Sequence, residues 1–368
     1  MKDRKTHLAV EREIEIIGEA VRNMLAKTHL LLTPFLCFIL VLSIPLFPSS
    51  AQHKGLYEKR AEKIGLKYVT DIPLPGGTSR FDYQTIDEVH QRLYISHMGA
   101  NLVTVFDLNS RTIITNLRHI PRPTGIRVVP ELDRLFVSAS AKNEVYVFDD
   151  SSFKMIDKVP TGHFPDGIAF DPELKRVFIS NEFGGIVTVF NALTNHVIAN
   201  IAMGGEVGNT HYDPISKLIY STVQTLREIV AINPGTLKII ARYHLPGCSG
   251  PHGFYIDSKD HYAFITGENN ASYVVFDLTL KRIISRGHVG AGPDVLASDK
   301  KTHRLYVASE SGVVSVFNLE KRKVEKIEES FLAKNAHSVS VDEQTHIVFF
   351  PLQDIGGHPV LLVMKPAQ

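Results

Sequence analysis

Carboxylate and imidazole side chains recur at one position of a repeating pattern in this chain. That position returns every 42 to 44 residues and carries, in order, Asp82, Thr124, Asp166, Gly208, His252, Asp294 and His337. If these side chains converge, the five that can ligate a cation form a candidate metal site: Asp82, Asp166, His252, Asp294 and His337. Two histidines among several oxygens favour a transition metal over calcium. The alternative is that the aspartates only cap loops by accepting hydrogen bonds from nearby backbone amides.

A second set of polar residues extends the candidate site toward a ligand. Four successive repeats carry Glu182, Gln224, Glu268 and Glu310 at an equivalent position. Farther along the first strand of their repeats, Arg127 and His211 replace small residues. Crowded carboxylates repel one another and raise each other's pKa unless a cation or a bound partner compensates them. The predicted ligand-binding residues are therefore Arg127, His211, Glu182, Glu268 and Glu310, with Arg127 suited to an anionic group or a polarised carbonyl.

Familiar catalytic motifs are missing from the sequence. It contains no Gly-x-Ser-x-Gly, no His-Glu-x-x-His and no Cys-x-x-Cys. The glycine-rich stretch at residues 204–208 lies between strands and does not precede a helix, so it is not a phosphate-binding loop. No catalytic residue can be named from motifs.

The elements that must position these side chains are short strands. The clearest copy of the repeat comprises residues 165–172, 176–181 and 187–191, and it alternates apolar and polar residues with a period of two. A period of about 40 to 45 residues with four short strands is typical of a β-propeller blade. Seven copies predict an all-β, seven-bladed propeller with four-stranded antiparallel blades, spanning residues 67–366.

Ring closure is also predicted. The seventh repeat stops after its third strand, near Met364, and an unpaired strand-like segment at residues 67–74 precedes the first repeat. We expect this N-terminal strand to complete the last blade, because closure removes exposed strand edges.

Propeller topology sorts the polar residues between two faces. The connections from the fourth strand of one blade to the first strand of the next lie on the same face as the connections between second and third strands. The recurring Asp and His side chains are expected on that face. Four histidines, His90, His261, His303 and His346, fall in turns on the opposite face and are predicted to be solvated turn residues.

The N-terminal region indicates export. Residues 30–47 are almost wholly apolar, and residues 49–51 are small, so residues 24–51 are interpreted as a signal peptide cleaved after Ala51. An uncleaved membrane anchor is the alternative. Residues 1–23 form a charged extension, interpreted as lying upstream of a start at Met24 or as a cytoplasmic tail. Residues 52–66 are a polar linker or a short helix. The expected location is periplasmic or extracellular, with membrane contact only through an uncleaved N-terminal segment.

Composition limits the partners. The chain has 40 basic and 39 acidic residues, a balance that gives no basis for binding nucleic acid. One cysteine, Cys248, remains after the proposed processing, so no intramolecular disulfide is expected. The protein is expected to be a monomer.

The second strands of the repeats carry the sequences Tyr94-Ile95-Ser96 and Phe178-Ile179-Ser180-Asn181, among others. These resemble the tetrapeptide of the YVTN-repeat, or YncE-like, propellers over residues 67–366. The resemblance implies an exported propeller without an assigned reaction. Three functions remain open: a module binding a protein or small molecule at the channel mouth, a metal-dependent lactonase-type hydrolase with one divalent ion, and a redox partner for haem or copper.

Overall fold

The computed structural model describes residues 50–320 and 322–367. The predicted signal peptide and the 1–23 extension lie outside these residues, apart from Ser50 and Ala51. Within the described ranges no helix combines the length and the apolar character needed to cross a bilayer.

Seven four-stranded antiparallel sheets form the blades of a propeller. The first four blades are β2–β5 (Gln84–Asp87, Arg92–His97, Leu102–Asp107, Thr112–Arg118), β6–β9 (Pro123–Val129, Arg134–Ala139, Glu144–Asp149, Met155–Pro160), β10–β13 (Pro165–Asp171, Arg176–Asn181, Ile186–Asn191, Val197–Ala202) and β14–β17 (Val207–Asp213, Leu218–Val223, Glu228–Asn233, Lys238–His244). The fifth and sixth are β18–β21 (Pro251–Asp257, Tyr262–Gly267, Ser272–Asp277, Arg282–His288) and β22–β25 (Pro293–Asp299, Arg304–Ser309, Val313–Glu320, Lys323–Phe331).

The seventh blade confirms the predicted closure. It consists of β26 (Ser340–Asp342), β27 (Ile347–Ile355), β28 (His358–Pro366) and, as its outer strand, β1 (Leu66–Pro73). The register runs from Leu66 opposite Pro366 to Pro73 opposite Val360, with one irregularity between Tyr68 and Thr70. The first and last strands of the propeller, β1 and β28, are therefore joined by a ladder of backbone hydrogen bonds, so that β28 is an inner strand and β1 forms the outer edge of the blade.

The core lies between adjacent blades. Apolar residues near the ends of the third strands are buried and pack against the preceding blade. Phe136 of blade 2 meets Phe190 of blade 3 edge-on with ring centroids 5.7 Å apart, and Phe264 meets Phe317 in the same way at 4.8 Å. Edge-to-face aromatic pairs add to the stabilisation that area burial provides.

A helix precedes the propeller, in the segment for which the sequence predicted a polar linker or a short helix. Helix α1 (Ser50–Glu62) lies on blade 7, and Tyr57, Ala61 and Ile64 are buried in the same cluster as Leu352 of β27. Arg60 donates a hydrogen bond of 2.7 Å to the carbonyl of Leu332. This segment is therefore packed onto the domain.

Three of the four turn histidines contact an aspartate of a neighbouring blade; Nδ1 of His90 lies 3.4 Å from Oδ2 of Asp150, and His261 and His346 make shorter contacts. Nε2 of His261 lies 2.8 Å from Oδ2 of Asp213 in the preceding blade, and Nδ1 of His346 lies 2.7 Å from Oδ2 of Asp299. Asp213 and Asp299 are buried and also accept bonds from backbone amides of their own turns. The prediction of merely solvated turn residues is wrong for these three histidines, because the turn of one blade lies against the next.

Candidate functional site

Hydroxyl groups hold the recurring Asp and His position at the mouth of the central channel. A side chain on one blade donates to the backbone carbonyl of the mouth residue on the next. Three pairs follow this rule: Ser138 to Asp166 at 2.8 Å, Thr222 to His252 at 3.1 Å, and Ser338 to Asp82. The backbone beneath these three side chains is thus fixed before any ligand arrives.

Two glycines allow the first strands to approach closely around the channel. A Cβ on Gly125 would lie 1.8 Å from the carbonyl oxygen of Asp166, and one on Gly253 would lie 1.9 Å from that of Asp294. Neither distance is possible for a larger residue. Each glycine directly follows a mouth residue, Thr124 or His252, so it lets the mouth side chains of neighbouring blades come together.

Tyr83 connects side chains from four blades. Its hydroxyl accepts a bond of 2.7 Å from Asn209, lies 3.2 Å from Nε2 of His252, and lies 3.5 Å from Oδ2 of Asp166. Because Tyr83 belongs to blade 1 and its partners to blades 3, 4 and 5, its ring reaches across the channel. Burial, with the charges of the nearby aspartates, raises the pKa of this phenol well above its usual value, so it stays protonated.

Arg80 supplies a positive charge on the other side of the mouth. Its guanidinium lies 2.7 Å from Oε1 of Glu310 and 3.3 Å from Oδ2 of Asp294. Asp82 is buried beside it, and burial raises the pKa of Asp82 well above its usual value although the charge of Arg80 opposes the rise. The sixth and first blades are thus linked through a cation that the chain itself provides.

Three candidate metal ligands meet at this point. Asp82, Asp294 and His337 each offer an atom within 4.8 Å of the others. However, Nδ1 of His337 faces the carbonyl of Asn335 at 3.0 Å, and Nε2 faces that of Phe81 at 3.1 Å. A ligating nitrogen needs a free lone pair, so Nε2 can bind a metal only by leaving the Phe81 carbonyl. The two carboxylates suit a cation, but the imidazole is oriented by the backbone.

His252 lies at the centre of a second group of acids. Its Nε2 is 3.5 Å from Oδ1 of Asp294 and 3.7 Å from Oδ2 of Asp166. On its other side, the amide nitrogen of Gln224 lies 3.0 Å from Nδ1 and 3.2 Å from Oε1 of Glu182. In this orientation the Gln224 amide donates to an unprotonated Nδ1. If His252 is an imidazolium, Nδ1 carries a hydrogen, and the Gln224 amide rotates by 180° so that its oxygen accepts that hydrogen.

Burial and charge around His252 shift three pKa values, two of them into the neutral range. Burial lowers the pKa of His252, but the carboxylates of Asp294 and Asp166 outweigh burial and raise it to about 9. Burial raises the pKa of Asp166 to about 6 and that of Glu182 to about 7, with the charge of His252 opposing both. The mouth can therefore gain or lose protons near neutral pH, which is a frequent property of functional sites.

The predicted site residues divide into two regions. Asp82, Asp166, Asp294, His252 and His337 line the mouth, with Glu182, Glu268 and Glu310 around it; the charge of Glu268 contributes to the pKa shifts of Glu182 and His252. Arg127 and His211 lie deeper.

Arg127 and His211 form a basic region along the channel wall. The Arg127 side chain is enclosed by protein yet open to the channel, and burial lowers its pKa, with the charge of Glu131 opposing. Burial and the charge of Arg127 lower the pKa of His211 to about 4. These two residues do not join the acidic mouth.

Sequence reasoning missed Arg80, Tyr83 and Asn209. Arg80 lies in the connection that leads into blade 1, two residues before the mouth residue Asp82. Tyr83 and Asn209 each directly follow a mouth residue, and at that next position blades 2, 3 and 5 carry glycine. That difference was a usable signal, because a large residue replaces glycine at the narrowest part of the ring.

Another group of possible metal ligands lies on the opposite face. Asp87, His90 and Asp150 also offer atoms within 4.8 Å of one another. Asp87 accepts bonds from its own turn, while Tyr94 and Arg92 contact Asp150. The group joins blades 1 and 2 and has its partners within the protein, so we interpret it as structural.

Comparisons with known proteins identify the fold alone. No protein-family model matches the chain, and no curated protein matches it. Solved structures that it resembles include hydrazine synthase of Kuenenia stuttgartiensis (TM-score 0.69, 14% identity, covering 81% of this chain and 97% of that one), a streptogramin B lyase (0.68, 13%, 82% and 99%) and the WD40 repeats of RRP9 (0.68, 9%, 82% and 100%). Two of the three are named as enzymes and one as a repeat domain. The chain is thus similar in architecture to β-propellers of unrelated function.

Proposed function

We propose that this protein is a binding module whose channel mouth captures a cationic group of a small molecule or a partner protein. The mouth concentrates the carboxylates of Asp82, Asp166 and Asp294 on a fixed backbone, with Glu182 and Glu310 at its edge. Ammonium and guanidinium groups are the organic cations that such acceptors bind best, because the hydrogen bonds are charge-assisted.

One observation carries the proposal. Asp294 is only 7% exposed, and its Oδ1 accepts no hydrogen bond of good geometry from any described residue; its charged neighbour is Nε2 of His252, 3.5 Å away. A buried carboxylate oxygen without a well-placed donor costs free energy and has room for a further N–H donor. A ligand N–H directed at Oδ1 would satisfy it.

The test is calorimetric titration of the full chain with ethylamine at low ionic strength. We expect saturable binding that is abolished in an Asp166→Asn/Asp294→Asn variant and retained in Glu88→Gln, which removes an exposed acid on the opposite face. Affinity should rise from pH 5.5 to 8, because Asp166 and Glu182 lose protons over this range. Equal binding by the double variant would contradict the proposal.

A metal-dependent hydrolase of the lactonase type is the second candidate. It is supported by the proximity of Asp82, Asp294 and His337, which offer ligand atoms within 4.8 Å of one another. In that reading the ion would polarise a substrate carbonyl, and His252 or a carboxylate would activate water. The orientation of His337 toward two backbone carbonyls weighs against it.

Elemental analysis decides between the two candidates. About one equivalent of a divalent metal in the purified protein, lost in a His252→Ala/His337→Ala variant, would favour the hydrolase and justify screening lactones and esters. Protein that contains no metal and takes up none of added zinc, calcium or manganese would exclude it.

We also propose that the protein is exported and of the YVTN type. The apolar run at residues 30–47 followed by small residues at 49–51 supports processing by signal peptidase. N-terminal sequencing of the protein recovered from a bacterial periplasm tests this. A mature chain beginning at Gln52 is the expected result, and an intact N-terminus in the membrane fraction would indicate an anchor.

A further inference from the structure

An aromatic rim borders the acidic mouth on blade 3. It consists of His163, Phe164 and Phe183, which belong to the two connections that open on this face. Phe183 lies 4.8 Å from Phe164 and 5.8 Å from His163, measured between ring centroids, and 51% of Phe183 is exposed. On the next blade, Leu226 occupies the same connection and is 40% exposed. Adjoining exposed apolar groups around a polar pocket are typical of a binding surface.

Backbone hydrogen bonds connect the aromatic rim to the residues of the mouth. The amide of Glu182 donates a bond of 2.9 Å to the carbonyl of Phe164, and the amide of Gly184 donates one of 3.0 Å to that of His163. The Glu182 side chain accepts from Gln224, which also contacts His252. The aromatic rim therefore adjoins Glu182 directly and His252 through Gln224.

The backbone at Phe164 is unfavourable for the residue it carries. Phe164 has φ of 58°, in the left-handed region, and the equivalent positions of blades 5 and 6 are Gly250 and Gly292, each with φ of 63°. Glycine adopts this conformation freely, whereas a bulky side chain is strained there. Glycine therefore suits this position, although blade 2 carries Arg122 there with φ of 53°, and the Arg122 guanidinium lies 5.6 Å from the centroid of the Phe164 ring.

We propose that the ligand of the mouth is a small amphipathic cation, a protonated amine that carries an aromatic or branched apolar group. The amine would bind the acids around Asp294, and the apolar group would cover Phe164 and Phe183. This inference rests on the proposed function, because it specifies the ligand of the same mouth. Unlike the proposed function, this inference requires the aromatic rim to contact the ligand.

Calorimetric titration of the full chain with ethylamine and phenethylamine tests the inference. We expect phenethylamine to bind at least about tenfold more tightly, a difference of about 1.4 kcal/mol. Phe164→Gly and Phe183→Ala should remove most of this preference while the affinity for ethylamine stays unchanged. Phe164→Gly should also keep or raise the melting temperature, since it relieves the strained backbone. The matched control is Leu280→Ala, which shortens a side chain that is 54% exposed outside the rim.

The outcomes separate this inference from the proposed function. Equal affinities for the two amines would overturn the inference and leave capture of a cation intact. A preference for phenethylamine that survives both rim substitutions, or that Leu280→Ala also abolishes, would overturn it as well. If neither amine binds, the proposed function fails and the inference fails with it.

Discussion

The positive charge of His252 should stabilise the fold over a defined pH range. The pKa of His252 is raised from 6.5 to about 9, so the folded protein holds this proton more tightly than the unfolded chain does. Each pKa unit corresponds to about 1.36 kcal/mol, and the full contribution of about 3 kcal/mol is present below pH 6.5. It falls to between about 2 and 3 kcal/mol at pH 7 and vanishes as the pH rises through 9.

His252→Gln tests this reasoning, because glutamine can still form a hydrogen bond with Gln224 but carries no charge. The variant should be less stable than the natural protein by about 2 to 3 kcal/mol at pH 7 and nearly equal to it at pH 10. Urea unfolding across this range measures the difference. A difference that does not change with pH would refute the electrostatic argument and indicate lost packing.

His211→Gln is the matched control with the opposite sign. The pKa of His211 is lowered to about 4, so the unfolded chain binds this proton more readily, and the natural protein loses stability as the pH falls below 6.5. Relative to the natural protein, the variant should gain about 2 kcal/mol between pH 7 and pH 5. No relative gain would show that His211 is more solvated than its surroundings indicate.

Three further predictions concern other parts of the ring. Deleting residues 67–73 should lower the melting temperature of the whole domain by well over 10 °C, because blade 7 loses its outer strand; an unchanged temperature would exclude closure through β1. His261→Ala should cost about 1 kcal/mol in urea unfolding by removing the bond to Asp213, and full stability would show that the bond contributes nothing. Arg80→Met should tighten ethylamine binding severalfold, because Arg80 competes for Asp294; weaker binding would mean that Arg80 itself contacts the ligand.

Local patterns were sufficient to predict the architecture. The alternation around Val187 and Val189 indicated strands, the 42-residue spacing indicated blades, and the missing last strand together with residues 67–74 indicated closure. Strands and blades depend on residues within one repeat or in adjacent, similar repeats. These patterns can therefore be recognised in a single sequence. The sequence alone also placed the five mouth residues at one repeat position, because side chains at one position of a propeller face the same axis.

The tertiary structure decided what those residues do together. Only the folded ring shows that Tyr83 reaches Asn209 and His252 across the channel, that Arg80 lies against Asp294 and Glu310, and that both nitrogens of His337 face backbone carbonyls, one of which its single N–H can bond. Apart from the contact between His337 and Asn335, these contacts join residues more than 100 positions apart, and their geometry depends on how closely the blades approach. Sequence spacing determines which side chains face the axis, whereas distances and charges at the axis arise from the packing of all seven blades.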